Sequence, residues 1–104
     1  MTEKTCDEVR DEFLSHVRSL CAYWENADER TLREKLDGLA FSILSAIDGS
    51  AASLPAFILA PCPHEDDKEF LESQGKDHYP ENHKVEELIK CDIGGSLHEL
   101  FYQR

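Results

Sequence analysis

No run of apolar residues in this sequence approaches the ~20 that a bilayer-spanning helix requires. The opening MTEKTCDEVRDEF is charged where a secretory leader would be apolar, and a cytoplasmic protein is expected. Basic residues are scarce: 11 Lys and Arg stand against 22 Asp and Glu, a formal net charge of −11. That balance opposes contact with phosphate backbones and anionic lipid, so neither nucleic acid nor a membrane is expected as a partner. Glycine and proline are also sparse, 5 and 4 in 104 residues, and no linker-like or repetitive stretch divides the chain. One domain, 1–104, is expected, burying roughly 60 to 70% of its unfolded surface. The four cysteines, Cys6, Cys21, Cys62 and Cys91, include no CxxC pair. Thiols so widely spaced are expected to stay free in a reducing cytosol.

What is present is helical periodicity. In residues 31–49, TLREKLDGLAFSILSAIDG, Leu32, Leu36, Leu39, Ile43 and Ile47 recur at steps of four, three, four and four, and Ala40, Leu44 and Ala46 widen the stripe. So broad an apolar face marks this helix as the expected central element, with neighbours buried against two of its sides. Thr31 and Glu34 have capping-box spacing, Asp28 offers an alternative start, and Gly49 stands where a left-handed terminal residue is needed. Gly38, mid-helix, costs about 1 kcal/mol relative to Ala. Its expected return is the close approach of another backbone, that of the C-terminal segment.

Val9, Phe13, Val17, Leu20 and Trp24 space out a first helix over about residues 6–25, with Thr5 and Glu8 as a second capping box and Asp7, Glu8, Asp11 and Glu12 at the favourable positive end of the dipole. The short polar NADER connection makes the two helices an antiparallel hairpin, with Tyr23 and Trp24 packing near the turn. After Gly49, AFILA at residues 56–60, enclosed by Pro55 and Pro61, is too short for a helix and reads as a buried strand. Its partner is open: residues 84–90, although Val85, Leu88 and Ile89 are spaced for a helix; no strand at all but an extended segment across the helices; or a second copy of the chain. HEDDKEFLESQG reads as a short surface helix with Pro63 early in it, pinned by Phe70 and Leu71 and ended by Gly75. The loop KDHYPEN follows. DIGGSLHELFYQR is a last short helix, capped by Asp92 or Ser96, with Leu97, Leu100 and Phe101 as its apolar face and Arg104 at the negative end of its dipole. Gly94 and Gly95 are expected to pack on the central helix near Gly38, with an anion-binding turn as the alternative. The class is thus mainly α, about four helices with an N-terminal hairpin, two shorter C-terminal helices, and one short buried strand or extended segment.

Taken in order, LDGLAFSIL, IDG, LPAF, PHEDDK, Gly75, YP and DIGGSLHELFY form a pattern that resembles small uncharacterised bacterial and phage or prophage proteins. It covers residues 36–102. The resemblance implies a shared fold family and a mobile-element origin; it attaches no activity and carries over no functional residues.

Candidate chemistry gathers around Cys62. Cys62, His64, Asp66 and Asp67, followed by His78, His83 and Cys91, are zinc-ligand residue types, with Cys62, His64 and His78 the foremost candidates, yet their spacing matches no zinc motif. Cys62, between two prolines and ahead of a helix, is also the best-placed nucleophile, with His64, His78 or His98 as base. Adjacent acids such as Asp66 and Asp67 carry little information in so acidic a chain, and DIGG lacks the lysine and glycine spacing of a phosphate loop. No metal, no cofactor and no enzymatic activity are expected. What remains is interaction: a protein partner or self-association as a homodimer, through Phe57, Ile58 and Leu59 of the unpaired strand. An alternative is an acidic mimic of nucleic acid that inhibits a host protein; a metal-binding or thiol-dependent enzyme around Cys62 and His64 is the other.

Overall fold

Two threonines start the two long helices. In a computed structural model of the protein, described for residues 2–81 and 89–103, helix α1 spans Cys6–Glu25 and helix α2 spans Leu32–Ile47. Each begins with a reciprocal capping box. The Thr5 hydroxyl accepts from the Glu8 amide at 3.1 Å while the Glu8 carboxylate accepts from the Thr5 amide, and Thr31 and Glu34 do the same. Two otherwise unsatisfied donors are thereby paired at each helix start. The Thr31 hydrogen bonds, with Arg30 beside them, hold the Glu34 carboxyl below its ordinary range.

Glycine sets the ends of α2 and α3. Gly49 at φ +96° lets α2 close in a Schellman turn, with Gly49 N–H donating to Ala46 O and Ser50 N–H to Ser45 O. Helix α3, Asp67–Ser73, ends the same way on Gly75 at φ +68°, with Gly75 N–H donating to Glu72 O and Lys76 N–H to Leu71 O. Helix α4 is Leu97–Phe101. Pro63 lies ahead of α3, outside its first turn, and Ser96 makes no side-chain cap at α4; Asp92 instead accepts from the Gly94 amide at 2.9 Å.

The architecture is mainly helical, and no strand occurs among the described residues. Two compact units are distinguished: Met1–Ile58 with Cys91–Arg104, and Leu59–Lys90. The second holds α3, on which Leu71 is half-buried while Phe70 is exposed. The first holds the hairpin. Trp24 near the end of α1 meets Gly38 and Ser42, and His16 lines the same depression as Ser45 and Ala46, pairings that run in opposite directions along the two helices. Its core is Phe13 and Leu14 of α1, Ala46 of α2 and Leu54 of the following loop. The Phe57 ring closes it edge-on against Phe13 at 5.2 Å, held by a hydrogen bond from the Phe57 amide to Ile47 O.

The sequence-based expectation is overturned on which helix is central. α1 is covered on two sides: α2 lies along one, and α4 along another. No contact joins α4 to α2, so the C-terminal segment does not cross at Gly38. What approaches Gly38 is the Trp24 indole, since a Cβ there would stand 2.6 Å from Cζ2 and Cζ3. The ring is fixed in place: its Nε1–H donates to Ser42 Oγ at 3.1 Å, and that hydroxyl donates to Gly38 O at 2.8 Å.

The free-thiol expectation is also corrected. Cys6, the first residue of α1, and Cys91, at the start of the C-terminal return, form a disulfide with their Cα atoms 5.4 Å apart, while Cys21 and Cys62 are free. Eighty-five residues separate the pair in sequence, and only the return of the chain to α1 juxtaposes them. That return is held at its other end by Arg18. Its guanidinium donates to Leu100 O at 2.8 Å and Phe101 O at 2.9 Å and lies over the Phe101 ring, satisfying the terminal carbonyls of α4 where the dipole is negative. Arg104 and most of residues 84–90, given those roles in the sequence reading, lie outside the described residues. No helix among the described residues is long and apolar enough to cross a membrane.

Candidate interaction surface

Helix α2 presents two arcs of different composition. At about 100° per residue, Gly38, Ser42 and Ala46 share one side, and this is the side that meets α1: Ala46 is buried and Gly38 and Ser42 are half-buried. The indole of Trp24 can lie flat there because no side chain stands at Gly38. Leu32, Leu36, Ala40, Ile43, Leu44 and Ile47 fall on the other side, within about 120° of arc.

That second arc is bare. Leu32 is 72% exposed, Leu36 56%, Leu44 58% and neighbouring Phe41 71%, with Ala40 exposed among them and Ile43 and Ile47 half-buried. Ordinary surfaces scatter single apolar residues, whereas a contiguous apolar strip along three turns of one helix is the kind of patch that marks an interaction site. Its charge is nearly nil. Arg33 and Asp37, the charged pair on this side, bind each other at 3.1 Å, leaving the strip neutral in a chain of net −11.

Residues 56–60, where the sequence placed Phe57, Ile58 and Leu59 on a buried strand, form an extended segment instead. Phe57 is turned towards the core against Phe13 and is half-buried. Ile58 and Leu59 are exposed rather than buried. The motif failed as a strand because, among the described residues, no second segment lies alongside it; one backbone hydrogen bond, Phe57 to Ile47, anchors it to the end of α2.

Among the described residues, the chemistry gathered around Cys62 does not come together at one point. Cys62 is exposed, and His64 makes local contacts: its Nδ1 accepts from the Asp66 amide at 3.2 Å, while Asp67 accepts from the His64 amide at 2.8 Å. These close the turn that leads into α3. His78 Nδ1 lies 3.3 Å from the next residue's carbonyl, and Cys91 is consumed in the disulfide. His83 lies outside the described residues. Among the described residues no three His, Cys, Asp or Glu side chains converge as metal ligands.

One open depression, about 270 Å³, lies beside the hairpin, lined by His16, Phe41, Ser42, Ser45, Ala46, Ser50 and Ala51. Ser42 is already committed to Trp24 and Gly38, which removes it as a nucleophile. The depression has the residue types for acyl chemistry and lacks the hydrogen-bonded pairing that chemistry needs.

The bare arc had a signal in the sequence. A helix with one neighbour needs one apolar stripe; α2 has a stripe widened by Ala40, Leu44 and Ala46, with Phe41 well off it, more apolar surface than one neighbour can cover. No protein-family model matches the chain, and neither a curated protein nor a solved structure gives a significant match to it.

Proposed function

We propose that the protein is a small acidic protein-interaction module whose working surface is the outer side of α2. The observation that carries this is the strip of Leu32, Leu36, Leu44 and Phe41, more than half exposed along a well-formed helix. Leaving several large side chains solvated forgoes roughly 1.5 to 3 kcal/mol each, and an amphipathic helix laid against a partner's apolar groove or helix recovers it. A phage or prophage origin, suggested by the pattern in residues 36–102, suits a module that acts by binding rather than by chemistry.

Affinity purification from the native host at low and high salt tests this. A partner retained at high salt by the wild type, and lost by Leu36→Glu with Leu44→Glu, supports apolar docking. A partner lost at high salt and indifferent to those leucines supports acidic mimicry of nucleic acid through the −11 charge instead. Cytoplasmic residence, part of the same proposal, has its own check. In that compartment Cys6 and Cys91 meet a reducing pool, so alkylation trapping in intact cells should find both thiols reduced; a bonded pair in cells would place the protein in an oxidising compartment.

A further inference from the structure

We propose that the occupant of the α2 strip is the α2 of a second copy, packed antiparallel about a two-fold axis through Ala40. This rests on the interaction surface described above and names its partner. Leu36, Ala40, Ile43 and Ile47 follow steps of four, three and four, the spacing of a helix-pairing seam. Ala40 is small, exposed and at the midpoint of Leu32–Ile47, so two helices can cross closely there, with Leu36 opposite the partner's Leu44 at both ends of the seam.

Charge fixes the direction. An antiparallel pair sets opposite dipole ends side by side and brings Arg33 at the start of one α2 to the partner's Asp48 at the end of the other, twice by symmetry. Arg33 and Asp48 are both exposed. A parallel pair would set Arg33 against the partner's Arg33. The net charge of −11 per copy opposes association over distance, but the Debye length is about 8 Å at physiological salt, and the paired surface itself carries Arg33, Asp37 and Asp48, one net negative charge per copy against −11 for the chain. The exposed parts of Leu32, Leu36 and Leu44 offer on the order of 300 Å² of apolar surface, bordered by Ala40, Arg33 and Asp48, which suits a weak dimer below the ~800 Å² each partner gives to a standard interface. A self-complementary patch of this kind closes on itself as a two-fold dimer.

Light scattering on the full chain at physiological salt, from micromolar to several hundred micromolar, should show mass rising from 11.9 kDa towards twice that value. Leu36→Glu should weaken association on the order of 100-fold. Arg33→Asp and Asp48→Arg should each weaken it, and together restore it, an outcome a merely apolar patch would not give. In a Cys21→Ser, Cys62→Ser background, Ala40→Cys should cross-link to dimer on mild oxidation whereas Glu29→Cys should not, which keeps the test decisive even if a charge variant folds poorly. A monomer throughout that range, without Ala40→Cys cross-linking, overturns self-pairing. If such a monomer still captures a host protein through Leu36 and Leu44, the interaction surface stands with another occupant; if it captures none, both fail.

Discussion

Helices α1 and α2, of 20 and 16 residues, both start on capping boxes, yet α1 has helices packed on two of its sides and α2 on one. α1 packs on α2 through Trp24 and receives the C-terminal return on another side, bound at Cys6 by the disulfide and at Arg18 by the carbonyls of α4. α2 has the richer apolar composition, but it is covered along Gly38, Ser42 and Ala46, three small residues. The difference teaches that side-chain size can select the face. A flat indole approaches a helix most closely where no Cβ stands, and its N–H is satisfied there by Ser42, so the close-packed seam forms on small residues and the leucines are left for something outside.

The largest test of α1 as the helix covered on two sides is the disulfide. Reduction, or Cys6→Ser with Cys91→Ser, should lower stability by roughly 2 to 5 kcal/mol, since the bond closes a loop of 85 residues in the unfolded chain. Denaturant melts with and without reductant measure it; superimposable melts would mean that the return does not depend on the bond. Next comes the seam. Gly38→Leu should cost about 1 to 3 kcal/mol by overpacking, and because Trp24 is the one tryptophan in the chain, its emission should shift red as the ring is displaced. A melt unchanged and an emission unmoved would detach Trp24 from Gly38.

Arg18→Gln removes a charged donor from the Leu100 and Phe101 carbonyls and should destabilise by about 1 to 2 kcal/mol. Hydrogen exchange should then speed up in residues 97–101 before it does in α1. Leu36→Ser and Leu44→Ser, by contrast, should change the stability of the monomeric chain by within about 0.5 kcal/mol, because both side chains are already more than half exposed. A larger loss, measured where the chain is dilute, would show that the strip is covered from within.

The smallest effect is a dependence on pH. Glu34 titrates below the ordinary range of a glutamate carboxyl because its carboxylate accepts hydrogen bonds from Thr31 and Arg30. A lowered folded-state pKa gives stability that is present above the unfolded value and is lost as pH falls through the folded one. Acid melts of wild type should therefore weaken below about pH 4.5 slightly more than those of Glu34→Gln, which keeps the capping geometry without the charge. Identical slopes would remove the carboxylate from the account of how α2 begins.

Local physics in the sequence by itself determined both long helices, their capping boxes, the glycine turns after α2 and α3 and the mainly helical class, because propensity, capping and left-handed backbone at glycine involve residues a few positions apart. Gly38 was legible as a place of close approach, though the approaching group was misjudged: the chain marks where bulk is absent and leaves open what fills the space. Cys6 with Cys91 and Arg18 with the end of α4 were not legible. Each pair is more than 80 residues apart, and nothing in the local pattern of either partner depends on the other. Periodicity likewise announced an apolar α2 without saying which arc would be covered. Only the tertiary structure decided that, through the fit of one indole against one glycine, and with it decided which leucines face outward.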